Sequence, residues 1–179
     1  MRKQNPGPKA TRLSAPALIL ATAVALLAGA GPSVAREPES LLTRALSCRI
    51  DDGAIATLMD RLAVEDPGLK APAQSLAAPS GNLYRLARPV SAFGYSTQEI
   101  YVSPGRIAMV VAGQSPASVT ARLRLEAVPY SPAERTIDGA HKIIAYELHQ
   151  DALASKVLVG CEYGDPAAQA WLAPDSGGF

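Results

Sequence analysis

The chain has two cysteines, Cys48 and Cys161, more than a hundred residues apart. Bonded, they make the first and last elements of the fold neighbours, which removes most ways of arranging the chain between them. An even pair without Cys-x-x-Cys spacing reads as a structural disulfide in an oxidising compartment. Closing so long a loop restricts the unfolded chain by roughly 4–5 kcal/mol in the chain-entropy account. A reactive or redox thiol would need a further cysteine or a basic pocket. Two cysteines so widely separated also lack the paired spacing of structural zinc.

The compartment is read from the N-terminus. Arg2, Lys3, Lys9 and Arg12 supply four positive charges, and an apolar run from Ala17 to Ala30 follows, broken only by Thr22. Gly31-Pro32 then precedes Ser33-Val34-Ala35, with small residues at the −3 and −1 positions of a cut before Arg36. That order of charge, apolar core and small residues predicts a cleavable secretory signal over residues 1–35. As a helix the run rises about 21 Å, short of the roughly 30 Å hydrocarbon core, so a retained membrane anchor is the poorer reading. The layout is bacterial and the expected address is the periplasm, with an extracellular one as the alternative.

Losing the leader's four cations leaves 13 of the 17 Lys and Arg against all 16 Asp and Glu, a net charge of −3. A nucleic-acid binder needs a basic domain or stripe, and Arg85, Arg88, Arg122 and Arg124 are too sparse to make one. No segment beyond the leader is long or apolar enough to span or coat a membrane, so no stable anchor is expected after cleavage.

The remaining chain fits one domain, expected over residues 36–163 and followed by a tail over 164–179. The tail either frays or docks through Trp171 and Leu172. Ser40 to Ile50 is undecided. From Asp52 to Val64 the spacing of Ile55, Leu58, Met59 and Leu62 predicts a helix, with Asp51 placed to cap it. Lys70 to Gly81, rich in Ala, Pro and Ser, reads as a connector. Strand patterns cover 82–87, 99–102 and 106–112, the last two joined by a turn at Ser103-Pro104-Gly105. Ile107 to Val111 has no polar break, which predicts a central strand covered on both faces. Ser115-Pro116 opens a second helix toward Ala127, and Pro129 and Pro132 break the chain. A closing hairpin pairs 142–148 with 156–163, placing Val157, Val159 and Cys161 on one face. The expected fold is α+β: one mostly antiparallel sheet of about five strands, about two helices and one disulfide.

Candidate chemistry is thin. His141 and His149 would share a strand face about 26 Å apart, too far to share a metal or a proton. Asp138 and Asp151 could pair with them singly, as solvated surface residues do. No G-x-S-x-G turn or glycine-rich phosphate loop is present, and the acid pairs Asp51-Asp52 and Glu65-Asp66 flank a helix. The expectation is therefore no catalytic site, no metal and no cofactor. Binding is the better use of the residues on hand. Phe93, Tyr95, Tyr101 and Arg106 combine aromatic rings and a guanidinium with turn glycines, the chemistry of interface hot spots. They are the candidate partner-binding residues, and the expected partner is a protein. By analogy of size and compartment the function is that of an inhibitor or immunity protein against an envelope-acting toxin or enzyme. The alternatives are an accessory or assembly component of the envelope, a small-ligand binder, and a divergent hydrolase.

Overall fold

A computed structural model describes residues 39–77 and 80–172, and the leader expected over 1–35 lies outside them. Three leucines and an alanine start the fold. Ser40 caps helix α1 (Leu41–Leu46), its hydroxyl accepting from Thr43 N at 3.1 Å, and Leu41, Leu42, Ala45 and Leu46 bury one side. Six residues are too few to display helical periodicity, which is why the stretch is ambiguous as sequence.

The helix expected from Asp52 forms in two pieces. A 3₁₀ turn covers Asp52–Ala54 and α2 spans Leu58–Glu65, while Asp51 makes no side-chain capping bond. The Ile55 carbonyl accepts from Leu58 N at 3.2 Å, the tighter 3₁₀ spacing, and from the Trp171 indole at 3.0 Å. A tertiary partner thus takes the carbonyl that would have carried a continuous helix. Ile55, Leu58 and Leu62 remain buried as their spacing requires, each contributing roughly 1.5–3 kcal/mol.

Seven strands form one antiparallel sheet in the order β1-β2-β3-β4-β7-β6-β5. They are β1 (Gln74–Ala77), β2 (Ser80–Ala92), β3 (Tyr95–Ser103), β4 (Arg106–Ala112), β5 (Ala133–Thr136), β6 (His141–Glu147) and β7 (Lys156–Tyr163). The count corrects the expected five. Both additional strands lie at sheet edges, β1 within the presumed connector and β5 after the proline pair. Strand β4 is the middle of the seven, and Ile107 to Val111 are all buried. Among the described residues there are four α-helices rather than two. The extra pair are α1 and α4 (Pro166–Gln169). Helix α3 (Pro116–Leu123) starts at the expected Ser115 cap but ends at Arg124, whose φ of +54° turns the chain. Glu126 then exchanges two backbone hydrogen bonds with Glu134 of β5, which is why the helix does not reach Ala127.

Alternation sorts the strands into two faces. The inner face carries Tyr84, Ile100, Ile107, Met109, Val157 and Val159 against α1 and α2, forming the main core. The outer face holds a smaller cluster of Leu83, Tyr101, Ala108, Val110 and Leu158, capped by Leu153. The disulfide joins Cys48 to Cys161 with 5.2 Å between Cα atoms, tying the end of α1 to the inner face of β7. The tail docks as far as Leu172. Trp171 lies edge-on to Tyr163, 5.3 Å between centroids, and both it and Leu172 pack on the core.

Candidate functional site

The four residues expected at the binding surface divide between the two ends of β3. Phe93 and Gly94 form the β2–β3 turn with φ of +55° and +75°, the left-handed pair of a type I′ hairpin. Phe93 and Tyr95 pack against the inner core, and the Arg122 guanidinium covers the Tyr95 ring at 4.7 Å while donating to Gly94 O at 3.4 Å. Tyr101 and Arg106 belong to the opposite end, where Pro104-Gly105 makes the β3–β4 turn. Six residue steps along the strand separate Tyr95 from Tyr101, about 20 Å, so the two segments do not form one surface. Antiparallel pairing puts successive hairpin turns at opposite ends of the sheet.

Tyr101 is 1% exposed and belongs to the outer-face cluster, its hydroxyl donating to Ser80 O at 3.4 Å. Arg106 is half-buried. Its Nε donates to Glu162 Oε2 at 2.6 Å, and its guanidinium lies 5.6 Å from the centre of the Tyr146 ring. Tyr101, Arg106 and Tyr146 line an open groove of about 1110 Å³ that also takes in Thr120 of α3 and Val128 and Tyr130 of the loop before β5. Burial holds the Tyr101 hydroxyl above its ordinary pKa and pushes Tyr146 up to about 12. Both phenols carry their protons at neutral pH and can serve as hydrogen-bond donors to a ligand in the groove.

The loop beside the groove carries Tyr130, an aromatic residue outside the four expected at the binding surface. Ser131 N donates to Val128 O at 3.2 Å, closing a turn with Pro129 and Tyr130 at its centre. Tyr130 has φ of +61°. A type II turn requires positive φ at this position and normally places glycine there. Tyr130 is 108% exposed and Val128 37%, so packing does not repay the strain. The signal was present in the sequence as an aromatic residue between Pro129 and Pro132.

The family models, curated proteins and solved structures compared with the chain yield no match.

Strand β6 ends at Glu147, so His149 lies beyond the strand expected to carry both histidines. His149 is exposed. His141 is 5% exposed, and its Nδ1 lies 2.8 Å from Asp138 Oδ2. It is thus a core residue and not part of a solvated surface pair. Tyr163 stands edge-on to it at 5.0 Å, and His141 Nε2 faces Asp52 Oδ1 at 3.7 Å.

Proposed function

We propose that this is a non-catalytic, exported protein-binding domain that grips its partner with the Tyr130 turn and the groove beside it. The observation that carries the reading is Tyr130 itself, a large aromatic ring held fully in solvent on a left-handed backbone that disfavours it. Strain of this kind, about 1–3 kcal/mol, persists where function requires the geometry. Exposed Val128 and the Arg106–Tyr146 stack supply apolar and cationic contact next to it, and Tyr and Arg dominate binding hot spots. An inhibitor or immunity protein of the bacterial envelope is the role that this surface and the expected export fit best.

A small-ligand role for an envelope accessory component is the second reading. It is favoured by the groove volume of about 1110 Å³, near the upper end of small-molecule sites. The two readings part in one experiment. Protein captured from a periplasmic extract is identified, and its affinity is then measured by calorimetry against Tyr130→Ala and Arg106→Ala. A hot-spot ring predicts a loss of about 2 kcal/mol, near thirtyfold, for Tyr130→Ala. Unchanged affinity in both variants would remove this surface from consideration.

A further inference from the structure

Beside the disulfide, on a different part of the molecule from the groove, a cavity of about 530 Å³ is lined by Cys48, Arg49, Asp51, Asp52, Asp138 and His141. Its chemistry is set by the imidazole. Asp138 Oδ1 accepts from the backbone N–H groups of Ala140 and His141 at 2.8 and 2.9 Å, which fixes the carboxylate. Its Oδ2 lies 2.8 Å from His141 Nδ1, placed to accept a hydrogen bond from it. With Nδ1–H donating to Asp138, a neutral ring carries its lone pair on Nε2.

That nitrogen belongs to a side chain only 6% exposed and makes no hydrogen bond, an arrangement that costs stability until a partner fills it. Asp52 Oδ1 stands 3.7 Å away. The gap is too long for a hydrogen bond, yet shorter than two metal–ligand bonds of about 2.0–2.1 Å laid end to end. A tetrahedral angle at an ion between them needs about 3.3 Å, a small movement for an Asp52 side chain that is 75% exposed.

We propose that His141 Nε2 and Asp52 Oδ1 bind a divalent transition ion of the Zn²⁺ class. Asp138 is the positioning carboxylate that orients the ring, the usual outer partner of a metal-bound histidine. Imidazole with carboxylate suits zinc and its neighbours better than calcium or magnesium. No three such protein ligands are preassembled among the described residues, so water completes the shell, with Asp51 lining the same cavity. Arg49, the cation nearby, is already paired with Glu39. Bound there, the ion would pin the segment after Cys48 to the start of β6.

The test uses the protein carrying no histidine tag, titrated with zinc sulfate by calorimetry and followed through the ¹⁵N resonances of the imidazoles. Expected are one ion per chain and a shift of His141 Nε2. Asp52→Asn should weaken binding at least tenfold, Asp138→Asn should weaken it about tenfold or more, and His149→Gln should change nothing. Asp52→Asn alters an exposed side chain and keeps the test valid should His141→Gln fail to fold. An unmoved His141 at millimolar zinc, binding that survives Asp52→Asn, or binding lost with His149→Gln would each overturn the site.

Discussion

Replacing Tyr130 with glycine is expected to stabilise the protein while destroying its proposed contact surface. A left-handed backbone costs an ordinary residue roughly 1–2 kcal/mol. Glycine removes that term but adds back about 0.5–1 kcal/mol through the freedom of the unfolded chain. Since the Tyr130 ring is fully exposed, packing contributes nothing to offset this, and the net gain is about 0.5–1 kcal/mol. For a domain of this size that raises the thermal midpoint by about 2–4 °C. Gly113 supplies the mirror experiment. Its φ is +70°, and an added Cβ would meet nothing within 4 Å. Gly113→Ala should therefore lose about the same energy for the same backbone reason. Thermal unfolding by circular dichroism, checked by calorimetry, reads both. A Tyr130→Gly variant less stable by 1 kcal/mol would show that the ring makes contacts, and the reading of a strained, presented residue would fail. A neutral Gly113→Ala would remove the backbone term itself.

Three further outcomes are expected. Cys48→Ser should lower stability by up to about 5 kcal/mol, the chain-entropy value for so long a loop, and non-reducing peptide mapping of the native protein should recover Cys48 linked to Cys161. Burial raises the Tyr146 pKa to about 12 and that of Tyr163 also upward. The folded state thus favours the neutral phenols, so their contribution is complete below the unfolded value of about 10 and is lost as pH climbs toward 12. Absorbance at 295 nm should show late ionisation coinciding with alkaline unfolding, and titration of all the tyrosines near pH 10 in folded protein would contradict it. Intact mass of protein recovered from a secreting bacterial host should match a chain beginning at or near Arg36, and recovery of the full-length chain in membranes would refute cleavage.

The sequence by itself determined the strands long enough to show a buried run or alternation. Strands β2, β3, β4, β6 and β7 each carry an apolar run or alternation, because a strand packed on one or two faces must, and all five were legible. The α3 cap was legible because Ser115 and Pro116 act within a few residues of each other. The disulfide could be read from two cysteines and the expectation of export. The tertiary structure alone decided the rest. Strands β1 and β5 are four residues each and largely polar on the edges of the sheet. They exist because a neighbour offers hydrogen bonds, an inducement that leaves no period in the chain. The break before α2 depends on Trp171, more than a hundred residues later, reaching the Ile55 carbonyl. The site followed the same division. Residue types suited to binding were visible, but sheet topology sent Tyr95 and Tyr101 to opposite ends of β3 and buried the second. It likewise buried His141 between Asp138 and Asp52. Local chemistry is written in neighbouring residues, whereas exposure and proximity are set by strand order, which is a property of pairing across the whole chain.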